Sequence, residues 1–361
     1  MSLDILFYGF APQGVGSWRR EVIEVDGSHG EGGGQILRTA VALSALTGKA
    51  CRIERIRAGR PNPGLQASHL TAIRAAAEVC SGKVEGLRIG STAVEFAPGP
   101  ICGGEYAFDI GTAGAVSLVL QTLVPLALRA DEACTFRLTG GTDVPWSPPM
   151  EYFEHVFCWW LHRMGVDIGI TTKRRGFYPR GGGAVDIWVR QAPRLRALQV
   201  TEPGPVTEVH VESRASKDLE GARVAHRQVS GFSDAFGGKY NATVEYVPTY
   251  SPGSVIHAHA HAGDARLGGN SLGRKGMKAE AVGEECARRL RAELDSGATM
   301  DEPMSDQILL YAAFADGVTE FTARKLSGHA ETTMWLLPQF LPCDLATELD
   351  GGRVRFRVTP R

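Results

Sequence analysis

Residues 22–57 read VIEVDGSHGEGGGQILRTAVALSALTGKACRIERIR, and this stretch decides the fold because it contains two different periodicities. Its two ends, VIEVDGS and CRIERIR, alternate apolar and polar residues as β-strands do. Between them, GGQILRTAVALSALTG has apolar residues at the three- and four-residue spacing of a helix. A second helical pattern and two short strands that end near residue 99 follow. The stretch therefore predicts a βαβαββ unit.

The same order of elements recurs twice along the chain. A second copy begins at Gly104 with EYAFDIG and ends near Arg190, and a third starts in its first helix at Met304 with MSDQILLYAAFA. A unit with a one-sided sheet must pack that face against another layer. The predicted fold class is therefore α/β (α+β), with three repeated βαβαββ units around a common core.

Residues 195–298 break this repeat. They contain strand patterns of their own (VTEVHVES, ATVEYVP and SVIHAHAHAG) and two helices, the second being GMKAEAVGEECARRLRAEL. The sequence predicts a small inserted α+β domain at 195–298 and a large catalytic domain formed by 22–194 and 299–361. Residues 1–21 are interpreted as an N-terminal arm.

Composition limits the classes of function. The 361 residues have a net charge of −1, so that any site for a polyanion must be a local basic patch. Seven scattered cysteines without a C-x-x-C pair indicate neither a disulfide framework nor a zinc site, and they favour a reducing compartment. No apolar run has membrane-spanning length, and Leu3–Ala11 lacks the preceding positive charge of a signal peptide. A cytoplasmic protein without membrane contact is expected.

Two basic clusters are candidate anion sites. The first is dense and lies beside Gly59 and Pro61, which suits a binding loop, whereas the second is interpreted as a solvated face. The first comprises Arg52, Arg55, Arg57 and Arg60, and the second comprises Lys173, Arg174, Arg175 and Arg180.

The glycine-rich run from Gly30 to Gln35 lies between a predicted strand and a predicted helix. It lacks the Lys-Ser/Thr of a phosphate loop, and no ribose-binding acid follows it. The helix N-terminus suits an anion, and Glu31 suits a divalent cation bound to that anion. A simple tight turn is an equally open interpretation.

Three alternating histidines, His257, His259 and His261, share one face of a predicted strand. Such a face could chelate a metal. Because no carboxylate or cysteine joins them, an exposed strand face in the insert is the favoured interpretation.

The loops that follow the second strand of each unit are predicted to converge on one cleft. They contain Arg57 and Arg60, Gly140–Asp143, and Ser327–His329. His329 begins a helix, where the dipole favours a nearby anion and is expected to lower the pKa of the imidazole. A neutral imidazole beside a bound phosphate can attack phosphorus. A plain helix-capping role for His329 stays open from these residues alone.

Several stretches together resemble the RNA 3′-terminal phosphate cyclase family, from Val25 to about Phe356. They are DGSHGEGGGQILRTA, IRAGRPNPGLQASHLTA, GTAGAVSLVLQT, GGTDVPWSPP, GFYPRGGG, SDQILL and SGHAETT. The resemblance implies ATP-dependent conversion of an RNA 3′-phosphate to a 2′,3′-cyclic phosphate. It also implies AMP covalently held on His329, an RNA-adenylate intermediate, ATP as cosubstrate, and Mg²⁺ or Mn²⁺.

The resemblance further implies roles for individual residues. Glu31 matches the metal-contacting carboxylate, and Arg38, Arg57 and Arg60 match basic residues that neutralise phosphates. Gln121 matches a nucleotide-contacting glutamine, and Pro149 and Phe153 match positions lining the adenine pocket. The segment lining the nucleotide is matched by Pro303, Met304, Ser305, Asp306 and Gln307.

Three positions depart from the family pattern. Thr333 stands where an asparagine is usual, Ser68 where a glutamine is frequent, and Pro303 where bacterial relatives often have an aromatic that stacks on adenine. One alternative is a cyclase-like, non-adenylating factor in ribosomal RNA processing or assembly, which is disfavoured because those relatives lack the histidine. A transferase of the enolpyruvyl type is more distant, because only its topology is similar.

Overall fold

A computed structural model describes residues 22–361, so the predicted arm at 1–21 lies outside the described residues. The first two units run as the sequence predicts, each with two helices and four strands. The first contains β1 (Ile23–Asp26), α1 (Gly34–Thr47), β2 (Cys51–Glu54), α2 (Ala67–Val79), β3 (Lys83–Glu85) and β4 (Val94–Ala97). The second contains β5 (Gly104–Asp109), α3 (Val116–Ala127), β6 (Cys134–Gly140), α4 (150–163), β7 (Ile168–Arg174) and β8 (Gly183–Val189).

The rest of the chain forms the insert and the third unit. In chain order these elements are β9 (Leu195–Arg196), β10 (Gln199–Val200), β11 (Val206–Ser216), α5 (Val224–Phe236), β12 (Asn241–Val247), β13 (Ser254–Ala262), β14 (Ala265–Leu272), α6 (Ala279–Asp295), α7 (Glu302–Ala312), β15 (Ala315–Asp316), β16 (Thr319–Ala323), α8 (Gly328–Phe340), β17 (Cys343–Asp350) and β18 (Arg353–Pro360). Strand β14 was not foreseen from the sequence, because ARLGGNSL has two glycines and little alternation.

Three sheets share one topology, which confirms the predicted repeat. Their strand orders are β1-β2-β4-β3, β5-β6-β8-β7 and β10-β16-β18-β17. In each, the first two strands are parallel and the others antiparallel. The buried apolar residues of the three units form one continuous cluster, as expected for one-sided sheets that bury their apolar faces against helices.

The third unit takes its first strand, β10, from residues that precede the insert. Gln199–Val200 pairs with β16, and Leu195–Arg196 pairs with β15, although these two short strands lie inside the range predicted for the insert. The insert's own sheet, β12-β11-β13-β14, begins at Val206. The division into domains stays a prediction, and these pairings favour an insert boundary near residue 206.

Helix α4 joins the second unit to the insert. It contains one π-helical segment, Phe153–Phe157, which re-aims the side chains that follow. The indole nitrogen of Trp160 donates to the carbonyl oxygen of Arg266 at 3.1 Å, and Arg266 donates to the carbonyl oxygen of His155 at 2.7 Å. The exposed face predicted for the three histidines of β13 is therefore wrong: His257 and His259 are 0% and 5% exposed because α4 covers them.

The second basic cluster is also less solvated than predicted. Lys173, Arg174 and Arg180 are exposed, but Arg175 is only 7% exposed. Its guanidinium lies 3.3 Å from Asp143 and donates to Glu151 at 2.7 Å. Burial there is possible because two carboxylates from other parts of the second unit compensate its charge.

Candidate functional site

His329 lies at the start of α8, between two carboxylates. The hydroxyl of Ser327 caps the helix by accepting from the amide of Ala330 at 3.0 Å. The Nδ1 of His329 lies 3.5 Å from an oxygen of Asp306, and its Nε2 lies 3.3 Å from an oxygen of Glu31. Asp306 belongs to α7, whereas Glu31 lies in the loop between β1 and α1. The site is therefore assembled from the first and third units.

The pKa of His329 is raised, mainly by its hydrogen bond with Asp306 and against the opposing effect of burial. The charges of Asp306 and Glu31 also raise this pKa, whereas Arg38 lowers it. The expectation that the helix terminus would lower it was wrong. Two full negative charges within 3.5 Å outweigh the partial positive charge of a helix N-terminus.

Gln35 fixes the backbone of His329, and sequence reasoning did not single it out. Its amide nitrogen donates to the carbonyl oxygen of His329 at 2.9 Å and to the hydroxyl of Thr333 at 2.8 Å. Thr333, one of the three departures noted in the sequence, therefore supplies a hydroxyl partner on α8. Helices α1 and α8 are thus joined directly beneath the imidazole.

One hydrogen-bonded chain connects the first helices of all three units. Arg38 on α1 donates to Gln121 on α3 at 3.2 Å, and Gln121 donates to Gln307 on α7 at 3.0 Å. Gln307 in turn donates to the carbonyl oxygen of Pro303 at 2.8 Å. Burial lowers the pKa of Arg38 to about 10, with Asp306 acting in the opposite direction. The structure therefore brings together Arg38, Gln121 and Gln307, which the sequence had predicted as phosphate- and nucleotide-contacting residues.

Arg57 and Arg60 lie in the loop that follows β2, and Arg60 approaches the glycine-rich turn. Arg60 lies 3.7 Å from Glu31, while Arg57 donates to the carbonyl oxygen of Asn62 at 3.1 Å and keeps a buried, unpartnered Nε. The pKa of Arg57 is lowered by burial and by the charge of Arg60. The loop of Arg57 and Arg60 therefore has positive charge that Glu31 compensates only in part, and the Nε of Arg57 is a hydrogen-bond donor without an acceptor.

His69 lies close enough to Arg38 and Arg57 to be affected by their charges, and the sequence analysis did not assign it a role. It is buried, and burial together with the charges of Arg38 and Arg57 lowers its pKa to about 3, so the ring is neutral. Its Nδ1 accepts from the amide of Gln66 at 3.1 Å. A Cβ at Gly34 would lie 2.1 Å from the Nε2 of His69, which explains why a glycine begins α1.

The residues predicted to line the nucleotide divide into two groups. Pro303, Asp306 and Gln307 border the cleft described below. Pro149, Phe153, Met304 and Ser305 are buried and do not border it, and the ring of Phe153 stacks on Phe157 with centroids 4.1 Å apart. Pro148 and Tyr152, the neighbours of Pro149 and Phe153, do border the cleft.

A cleft of about 1830 Å³ separates the three-unit body from the insert. It is larger than the pockets of roughly 300–1,000 Å³ that hold small ligands. On the body side it is bordered by Glu31, Gln35, Arg38, Gln121 and His329. On the insert side it is bordered by Arg227, Arg274, Lys275, Lys278, Arg288 and Arg289. Such a cleft has room and charge for a ligand larger than one nucleotide.

Glu31 is the candidate ligand for a divalent cation. Within residues 22–361, no group of three or more His, Cys, Asp or Glu side chains is arranged to hold a metal ion. Mg²⁺ in phosphate-transfer sites is usually held by one or two carboxylates and by substrate phosphates. The exposed carboxylate of Glu31 on the cleft fits that donor set, whereas the stacked histidines of β13 do not form a metal cluster.

Known proteins match nearly the whole chain. The family model of RNA 3′-terminal phosphate cyclase matches residues 29–347. A protein of that name from Nitrosospira multiformis is 42% identical, over 93% of this chain and 96% of its own length. One from Methanopyrus kandleri is 43% identical, over 91% and 96%, and one from Archaeoglobus fulgidus is 43% identical, over 89% and 96%.

Among solved structures, the enolpyruvyl transferase NikO from Streptomyces tendae aligns with 93% of this chain and 81% of its own. Its sequence identity is 11% and its TM-score is 0.28, too low to support a conclusion. In the described part of the chain, no helix is long and apolar enough to cross a membrane. The match to the family model over residues 29–347 and the relatives above 40% identity show that the chain belongs to the RNA 3′-terminal phosphate cyclase family.

Proposed function

We propose that this protein uses ATP to convert the 3′-phosphate end of an RNA to a 2′,3′-cyclic phosphate, with AMP held covalently on His329. The observation that carries the proposal is the half-exposed imidazole between Glu31 and Asp306, at the edge of the cleft. The names of the relatives support the overall reaction. The nucleotidyl-transfer route is our inference from the residues around the imidazole.

The two nitrogens of His329 have different roles in this proposal. Asp306 is mostly buried and holds the proton on Nδ1, as a carboxylate does in other histidine-dependent sites. The Nε2 is then unprotonated, and its lone pair attacks the α-phosphorus of ATP; the bond to the β-phosphate oxygen breaks, and pyrophosphate leaves. Gln35 keeps the ring at a fixed position by holding the backbone of His329.

Two further transfers complete the reaction. An oxygen of the RNA 3′-phosphate attacks the phosphorus of the histidine-bound AMP, which releases His329 and forms a phosphoanhydride. The neighbouring 2′-oxygen then attacks the 3′-phosphorus, its proton passes to solvent, and AMP leaves. Arg38, Arg57 and Arg60 neutralise the phosphate charge during these transfers. Mg²⁺ or Mn²⁺, held by Glu31 and the phosphates of ATP, would further neutralise that charge.

We also propose a cytoplasmic location, because all seven cysteines are free thiols, which suits a reducing compartment.

The test of the proposed function is incubation of the protein with α-labelled ATP and Mg²⁺, followed by denaturing electrophoresis. We expect the label to stay on the protein at alkaline pH and to be lost in acid, as from a phosphoramidate. His329→Ala should take up no label, whereas His162→Ala, a histidine outside the cleft, should label as the wild type does. Labelling of His329→Ala would contradict the assignment. An unlabelled wild type would favour the non-adenylating alternative.

A further inference from the structure

Two aromatic side chains that border the cleft are exposed to solvent. Trp146 is 97% exposed and Tyr178 is 70% exposed, and both border the same cleft as His329. Aromatic side chains bury a large area when they are packed, so two of them exposed together mark a contact surface. Neither has a role in the nucleotidyl-transfer steps described above.

The backbone of Trp146 holds its ring outward in an unfavourable conformation. Its φ is 61°, in the left-handed region that bulky residues rarely adopt. The loop is fixed on both sides of it: Ser147 donates to the carbonyl oxygen of Val144 at 2.9 Å, and Ser117 donates to that of Pro148 at 2.8 Å. Strain of this kind persists where the surroundings enforce it and is frequent at binding sites.

Uncompensated positive charge lies in the chain segment that contains Tyr178. The guanidiniums of Arg174 and Arg180 lie 4.9 and 5.5 Å from the ring centre of Tyr250, which is itself half exposed. Within residues 22–361, neither arginine has a carboxylate at ion-pair distance, and the same holds for Lys275 on the insert side of the cleft. Exposed rings beside unpaired cations are the combination with which proteins bind single-stranded nucleic acid, since bases stack and phosphates pair with the charges.

We propose that Trp146 and Tyr178 form a stacking platform for the bases next to the RNA 3′ end, and that Arg174 and Arg180 contact the phosphates between those bases. This inference rests on the proposed function for the identity of the nucleic acid. Stacking on an aromatic ring does not depend on the identity of the base, so we expect the platform to bind any base. It favours a single-stranded end over a blunt duplex end, because bases in a duplex are already stacked on each other.

The test measures RNA affinity by fluorescence anisotropy, without ATP, on a labelled single-stranded oligonucleotide that ends in a 3′-phosphate. Trp146→Ala is expected to bind about 5- to 150-fold more weakly, the loss that corresponds to one stacked base. Trp146→Phe should retain most of the affinity because it keeps a ring. Trp188→Ala is the matched control: Trp188 is 44% exposed but does not border the cleft, and it should bind as the wild type does.

Labelling of His329 by ATP alone, measured on the same variants, separates a platform from a structural role. An affinity of Trp146→Ala equal to that of the wild type would overturn the proposal. So would a loss of labelling as large as the loss of affinity, because Trp146 would then support the active-site fold. If the wild type takes no label but Trp146→Ala still loses RNA affinity, the proposed function fails and the platform stands.

Discussion

At the scale of single residues, the protonation of His329 depends on side chains far away in sequence. Asp306 lies 3.5 Å from Nδ1 and Glu31 lies 3.3 Å from Nε2, and both raise the pKa of the ring. A raised pKa means that a larger fraction of the imidazole is protonated at any given pH near neutrality. Because only the neutral ring attacks phosphorus, nucleotide transfer should be limited by this group at low pH.

Asp306→Asn should therefore move the acid limb of the pH profile of His329 labelling toward lower pH. The asparagine oxygen still accepts from Nδ1, but the negative charge that stabilises the imidazolium is gone. The measurement is the rate of labelling by ATP between pH 5 and pH 9. Glu331→Gln, which removes an exposed charge from the same helix turn, is the control and should leave the limb in place. If the acid limb of Asp306→Asn lay at the same pH as that of the wild type, the pKa of another group would determine it.

At the scale of elements, the packing of β13 against α4 buries a stack of histidine rings. The ring of His259 lies 5.0 Å from that of His155, 5.1 Å from that of His210 and 5.5 Å from that of His257. Both ring nitrogens of His257 are buried without a hydrogen-bond partner. Burial lowers the pKa of His257 to about 4 and that of His259 to about 2.

The buried histidines should make the protein less stable in mild acid. Below about pH 6.5 the unfolded chain takes up a proton at His257 that the folded chain does not, so stability falls as the pH drops from 6.5 toward 4. This one site contributes at most about 1.4 kcal/mol per pH unit. His257→Phe loses no hydrogen bond and should reduce the pH dependence by the share of this one site, because the lowered pKa values of His259 and His69 remain.

The comparison is the free energy of urea unfolding at pH 7.5 and pH 5, for the wild type and for His257→Phe. His226→Phe changes an exposed histidine of the insert and should keep the wild-type dependence. Equal pH dependence in His257→Phe and the wild type would refute the assignment.

At the scale of the whole molecule, buried charges join the insert to the body. Glu151 on α4 is compensated by two arginines: Arg175 of the second unit donates to it at 2.7 Å, and Arg214 on β11 donates to it at 2.6 Å. Arg214 also pairs with Glu212 and, at 2.9 Å, with Glu245. This network holds the insert against α4, and so it sets the position of one wall of the cleft.

Arg214→Met should lower the free energy of unfolding by roughly 3 kcal/mol, because it leaves a buried carboxylate with less compensating charge. Arg227→Met is the matched control, since Arg227 and Glu280 form a solvent-exposed pair whose loss should lower the free energy of unfolding far less. Urea unfolding measures both. We also expect faster hydrogen exchange in β11 of Arg214→Met. Equal losses in the two variants would show that the network does not hold the insert.

Local pattern was enough to predict much of this molecule. The alternation in VIEVDGS and the helical spacing of GQILRTAVALSALT depend on neighbouring residues, so β1 and α1 follow from the sequence. The repeated order predicted three units of one topology, and the motifs from DGSHGEGGG to SGHAETT identified the family and pointed to His329. The roles of Arg57, Arg60 and Pro303 stay predictions.

Burial, protonation and long-range partners were decided only by the tertiary structure. His257 and Arg175 are buried because α4 and distant carboxylates cover them, and no local pattern contains that information. Strand β10 is two residues long and is defined only by its pairing with β16. The pKa of His329 reverses the expectation from its helix terminus because Asp306 approaches it from another helix of the third unit and Glu31 approaches it from the first unit. Sequence periodicity reports one element at a time, whereas electrostatic energy depends on which groups meet in space.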